Sequence, residues 1–153
     1  MIKLNVSAFD LAQRFVGTKE MSGAVANPQI LAMLRLDQSW PEDDDVAWCS
    51  AFCNYIAWLL RLPRSKSLRA RSWLTIGYAA DTPEVGFDIV ILKRGPDPQP
   101  GPEVLEAPGH VGFFAGYSVD NDQIMILGGN QGDAVNVGSF PAKDILGIRR
   151  LVT

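Results

Sequence analysis

A thiol becomes a strong nucleophile once a base takes its proton, and this chain offers few residues for either task. It has two cysteines, Cys49 and Cys53, and one histidine, His110. The cysteines lie in Trp48-Cys49-Ser50-Ala51-Phe52-Cys53, and Phe52, Ile56, Leu59 and Leu60 recur there at helical spacing. Four residues along a helix separate two Cβ atoms by about one turn, too far for an unstrained disulfide, so both read as free thiols. Free thiols fit synthesis in a reducing cytoplasm. Cys49 falls in the first turn of the predicted helix, where unpaired N–H groups and the positive helix end favour a thiolate. The Ser50 backbone N–H is a candidate oxyanion donor in the same turn. Cys53, one turn further in, reads as a small core hydrophobe. Asp44 or Asp45 is the natural N-cap, and Asp43 to Asp45 would raise the thiol pKa unless they cap the helix or face solvent.

A base must be held in place by a third group. His110 sits in Gly109-His110-Val111-Gly112, where a proline-rich loop enters an apolar strand. Asp120-Asn121-Asp122 marks a hairpin turn after that strand. With the turn centred near Asn121, facing residues have numbers that sum to about 242, with a slip of roughly two. The window opposite His110 then holds Asn130, Gln131 and Asp133, each able to accept a hydrogen bond from the ring. Metal chemistry is poorly served. One histidine and two cysteines on one helical turn make no usual zinc set, there is no HExxH, and no serine sits in a GxSxG elbow.

These residues need a scaffold. The 153 residues, 47% hydrophobic and 20% charged, suit one folded domain over 1–153. The first half reads helical: Ala8 to Val16 capped by Ser7 and stopped by Gly17, then Asn27-Pro28 opening a helix to Leu36, then the cysteine helix, then Ser67 to Ile76. The second half reads as strands at Phe87–Leu92, Val111–Val119, Gln123–Leu127, Ala134–Val137 and Ile145–Val152. Helices first and strands second predict an α+β domain with an antiparallel sheet. The prolines between Gly95 and Gly109 make that stretch a surface loop. A net charge of -3 argues against nucleic acid, and Arg61, Arg64, Lys66, Arg69 and Arg71 form a basic stretch that reads first as a solvated loop and, more sharply, as a surface for an anionic polymer. The N-terminal segment does not read as a signal peptide, and no run approaches the ~20 apolar residues of a membrane span.

The motifs Trp48-Cys49-Ser50-Ala51-Phe52, Gly86-Phe87-Asp88-Ile89-Val90, Gly109-His110-Val111-Gly112-Phe113 and Gly128-Gly129-Asn130-Gln131, in this order, resemble the NlpC and CHAP superfamily of papain-like cysteine peptidases and amidases that cut peptidoglycan. Ala12-Gln13-Arg14-Phe15-Val16-Gly17, Asn27-Pro28 and Ala70-Arg71-Ser72-Trp73 fit its small phage-associated and bacterial members, so the likeness spans nearly the whole chain. It implies a papain-like fold with N-terminal helices on a C-terminal sheet. Cys49 matches the nucleophile, His110 the general base and Asn130 the orienting residue. Asp133 stands in reserve for Asn130, and Asp88 matches an acidic residue read as structural. Trp48, Ser50, Arg71 and Trp73 are candidates to bind substrate, with core packing an equal reading for the two tryptophans.

The resemblance also implies hydrolysis of an amide or peptide bond in the peptidoglycan stem peptide, with no metal or organic cofactor. Delivery to the wall would need a partner such as a holin or a secretion system. The long Gly95 to Gly109 loop departs from the family pattern at the substrate groove. An inactive wall-binding or virion structural module on the same fold is the alternative.

Overall fold

A computed structural model describes residues 1–21, 26–38 and 47–152. Its helices come first. Helix α1, Ala8–Gln13, opens on a reciprocal cap: the Ser7 hydroxyl accepts from the Asp10 N–H and the Asp10 carboxylate accepts from the Ser7 N–H. The predicted continuation to Val16 is a set of tighter turns, with N–H groups reaching back three residues, and Gly17 ends it at φ 98°. Helix α2, Pro28–Leu34, is capped by Asn27, whose side chain accepts from the Gln29 N–H. Helix α3, Cys49–Leu59, has Trp48 at its N-cap and no side-chain cap bond. The expected caps Asp44 and Asp45, with Asp43, lie outside the described residues.

The predicted fourth helix is shorter than Ser67 to Ile76. Only Ala70–Thr75 coils, as the 3-10 helix α4. Side chains of α3 take the earlier backbone groups: the Ser50 hydroxyl and the Asn54 amide both donate to the Ser67 carbonyl, and Asn54 Oδ1 accepts from the Lys66 N–H. A backbone already bonded to a neighbouring helix has nothing left for a ladder of its own.

Six antiparallel strands follow: β1 Tyr78–Ala79, β2 Asp88–Lys93, β3 Gly109–Tyr117, β4 Gln123–Gly128, β5 Asn136–Pro141 and β6 Ile145–Arg150, in spatial order β1-β6-β2-β3-β4-β5. The two-residue β1 has no periodicity to read and was not expected. The helical half and the antiparallel sheet make this an α+β protein. The predicted strand from Ala134 is a lone bridge between Ala134 and Lys19, then β5.

The short link between β5 and β6 shapes the sheet. In the strand order β5 and β6 lie four spacings apart, about 19 Å in a flat sheet. Only residues 142–144 join them, and so short a link reaches about 15 Å at most. The sheet therefore curls. Its concave face holds Val90, Leu92, Phe114, Ile124 and Ile126, with Phe140 of β5 and Ile145 and Ile148 of β6 packed against them. Its other face gives Ile89, Ile91, Val111, Phe113 and Leu127 to the main core under Trp48, Phe52, Ile56 and Trp73. Strand β2 is buried on both faces, which is why it reads as a continuous apolar run. At its start the buried Asp88 carboxylate accepts from Arg150 Nε and Nη2, both at 2.7 Å, and from the Glu84 N–H. Asp88 thus ties β2 to β6, a structural role. Among the described residues no helix is long and apolar enough to cross a membrane.

Candidate active site

The first turn of α3 and the start of β3 meet, and they bring Cys49 and His110 together. Both side chains are buried, at 3% and 7% exposed. Burial alone pushes a thiol pKa up. Here the hydrogen bond to His110, the imidazolium charge, the Val111 N–H and the Arg94 charge outweigh that effect, and the Cys49 thiol lies below its ordinary value. Burial pushes His110 down, but the bond and charge of Cys49 and the bond to Gln131 raise it above the usual histidine value, against an opposing effect of Arg94. Both directions favour the thiolate–imidazolium form of the pair.

The orienting residue is Gln131. Its Oε1 lies 2.9 Å from His110 Nε2. The amide cannot turn round, because Gln131 Nε2 donates to the Ile126 carbonyl, the Asn136 carbonyl and Asn136 Oδ1 at 3.2, 2.8 and 3.0 Å. With Oε1 fixed toward the ring, His110 Nε2 must carry the proton and donate it. Nδ1 is then the nitrogen left for the Cys49 thiol. Asn136 Nδ2 returns a bond to the Gln131 carbonyl, so the holder is itself held.

This corrects the assignment to Asn130. The hairpin pairs Phe113 with Leu127 and Phe114 with Ile126, and that register, continued straight, would set residue 130 opposite His110. Strand β4 stops at Gly128, however, and Asn130 enters the left-handed region at φ 58°. The turn carries Asn130 aside and sends the next side chain back to the imidazole. Asp133 is also left-handed at φ 61° and is exposed, with its carbonyl bonded to the Glu20 N–H. Among the described residues neither Asn130 nor Asp133 bonds His110.

Close approach explains the glycines before them. A Cβ on Gly128 would stand 2.5 Å from Gln131 Oε1, and one on Gly129 would stand 2.7 Å from the Trp48 ring and 2.9 Å from Phe52 Cβ. The turn can lie against α3 only because Gly129 lacks a side chain, and Gln131 can reach the imidazole only because Gly128 lacks one.

The four residues expected to bind substrate have other duties. Trp48 and Trp73 are fully buried. The Trp48 indole donates to Glu20 Oε1 at 2.8 Å, and the Trp73 indole donates to Ser50 Oγ at 2.9 Å. Ser50 is buried, and its hydroxyl ties α3 to the Ser67 carbonyl and to Trp73. Only its backbone N–H, in a first turn without intrahelical acceptors, faces the task proposed for it. Arg71 is also fully buried. Its guanidinium donates to the carbonyls of Pro100, Gly101, Val104 and Pro108, at 3.0, 2.7, 3.2 and 2.9 Å. It is the peg on which the proline-rich loop hangs, not a wall of the groove.

The open space at Cys49 is a cleft of about 310 Å³ bordered by Ala47, Arg69, Arg94, Glu106, Pro108 and Gly109. The loop held by Arg71 therefore supplies one of its walls. The predicted basic stretch disperses: Arg64 pairs with Asp37, Arg71 is buried, and Arg69 alone of the five reaches this cleft. Phe140, Asn136 and Arg94 were not anticipated as site residues. Phe140 stacks on the His110 ring, with centroids 5.1 Å apart and planes 26° apart. No protein-family model and no curated protein matches the chain.

Proposed function

We propose that the protein is a papain-like cysteine hydrolase that cleaves an amide or peptide bond in the stem peptide of peptidoglycan. The single observation that carries the hydrolase reading is the chain Cys49–His110–Gln131, in which each group fixes the protonation of the one before it. The choice of peptidoglycan rests on the sequence resemblance to the NlpC and CHAP superfamily. A helix bearing the nucleophile, packed against a curled sheet bearing the base, is in keeping with the papain-like architecture of that group.

In the proposed reaction the Cys49 thiolate attacks the substrate carbonyl carbon. The oxyanion forms beside the first turn of α3, where the Ser50 N–H is free of any intrahelical partner. As the carbonyl reforms, the C–N bond breaks and the His110 imidazolium gives its Nδ1 proton to the departing amine. Water then adds to the thioester and returns a proton to Nδ1. The thiolate leaves, and a carboxylic acid is released. Gln131 keeps the ring aligned through both halves.

Purified peptidoglycan incubated with the protein, followed by mass analysis of soluble fragments, tests this reading. The expected result is release of fragments with new amine and carboxyl ends, absent with Cys49→Ala. Intact glycan and peptides with the wild-type protein would overturn it.

A further inference from the structure

Six arginines of this protein fall into two groups. Several are spent on the fold: Arg64 pairs with Asp37, Arg71 is surrounded by loop carbonyls, Arg149 donates to the Ile76 and Gly77 carbonyls, and Arg150 clasps Asp88. Arg69 and Arg94 differ. Both are exposed, both border the cleft that contains Cys49, and among the described residues neither is in an ion pair. They reach the cleft from separate elements: Arg69 from the residue before α4, Arg94 from the residue after β2. Arg94 lies near enough for its charge to act on both Cys49 and His110. Glu106 borders the same cleft, so the described ionic side chains there sum to one net positive charge.

We propose that Arg69 and Arg94 form a carboxylate-binding subsite beside Cys49, selecting a peptide with a free carboxylate close to the bond that is cut. A guanidinium presents a fork of donors that matches a carboxylate, and two of them reach this one cleft from separate elements. On the loop side Ala107 and Pro108 are neutral, and Glu106 is the one acidic side chain among the described residues lining the cleft, set against two arginines. A stem peptide bears such carboxylates, whereas its amidated counterpart presents a neutral amide in their place. This substrate class rests on the hydrolase reading above. The anion site itself does not.

The deciding measurement is therefore made first without substrate. Cys49 is alkylated with iodoacetate and with iodoacetamide, two reagents alike except for charge, and the rates are followed by mass analysis of the Cys49 peptide. Their ratio cancels the thiolate fraction, so a change in thiol pKa does not disturb it. Arg69→Gln and Arg94→Gln should each lower the iodoacetate-to-iodoacetamide ratio about threefold to tenfold, as expected for one charge removed at a partly solvated site. Glu106→Gln should raise it. A ratio unchanged in both arginine variants would overturn the subsite.

The second arm compares wild-type cleavage of stem peptides that differ only as carboxylate or carboxamide. The carboxylate form should be preferred at least about tenfold in kcat/KM. The preference should collapse in Arg69→Gln/Arg94→Gln mainly through KM. Equal cleavage of both peptides by the wild-type protein would overturn the assigned substrate class. No cleavage of either by the wild-type protein would sink the hydrolase reading and the substrate class with it, while the alkylation ratio would still decide the anion site.

Discussion

Cys49 and Cys53 occupy successive turns of α3, are both free and are both buried, yet their thiols are driven in opposite directions. Cys53 is raised well above the ordinary thiol value by burial and by the charge of Cys49. Cys49 suffers the same burial and is lowered, because His110 and the Val111 N–H bond its sulfur and the charges of His110 and Arg94 act on it. Depth in the protein does not decide reactivity. The polar groups that arrive from β3 and from the end of β2 do, and one helical turn is enough to pass out of their reach.

The largest expected effect breaks that pair at its first member. Cys49→Ala should lower hydrolysis by at least about a thousandfold, as removal of a nucleophile does. Cys53→Ala should keep activity within a few-fold of wild type and show its cost in stability, about 1–2 kcal/mol for a buried sulfur lost from the core. Steady-state rates beside urea denaturation separate the two. Equal losses of activity in both variants would erase the distinction drawn between the turns.

Next comes the base. The lowered thiol and the raised imidazole together widen the range in which thiolate and imidazolium coexist. Turnover should fall at the acid end as the thiolate takes a proton, and at the alkaline end as the imidazolium loses one. The two apparent values belong to the pair rather than to either residue. Alkylation of Cys49 by iodoacetamide should therefore proceed at neutral pH while Cys53 stays unlabelled. In His110→Ala burial is opposed only by the Val111 N–H and the Arg94 charge, so the labelling inflection should move up and the rate at pH 6 should drop about tenfold or more. An inflection that stays put in His110→Ala would mean that the imidazole does not hold the thiolate.

The third residue gives a sharper test, since sequence and structure name different neighbours. Gln131→Ala should slow turnover about tenfold to a thousandfold with little change in KM, because the amide acts on His110 and not on substrate. It should also cost stability, as the Ile126 and Asn136 carbonyls lose a buried donor, at about 1–3 kcal/mol for each group left unsatisfied. Asn130→Ala should leave turnover near wild type. Kinetics on both variants, with folding checked by circular dichroism, will show whether the ring is held from 131 or from 130.

That contrast marks how far the sequence could be read. Cys49 and His110 were legible because each has a local signature: a helix start, and a glycine-flanked entry into an apolar strand. The α+β class followed from helical spacing in one half and strand runs in the other. Gln131 stood in the window opposite His110 but could not be chosen from within it. Register arithmetic assumes an extended chain, and the left-handed turn at Asn130 displaces the partner by one. The binding roles expected of Trp48, Trp73 and Arg71 failed for a different reason. Large aromatic and basic side chains serve a core or a groove equally well by type, and only the positions of Ser50, Glu20 and the loop carbonyls decide which. Phe140 was invisible because it reaches the ring through the curl of the sheet, a consequence of the short link between β5 and β6 rather than of any local pattern.

Phe140 supplies the smallest expected effect. Its ring lies nearly parallel to His110, and an aromatic face favours the imidazolium over the neutral ring by roughly 0.5–1.5 kcal/mol at such a distance. Phe140→Leu keeps an apolar cover over the concave core but removes that face. The imidazolium should then give up its proton more readily, so the alkaline limb of the rate profile should move down by about 0.3 to 1 pH unit. Rates near the optimum should fall only a few-fold, with KM unchanged, because the leucine still keeps water from the ring. A purely packing role for Phe140 would lower thermal stability and leave the alkaline limb where it was. The pH profile therefore separates the two roles where the rate at a single pH would not. The same shift should be absent from Cys53→Ala, which loses core contacts without touching the imidazole.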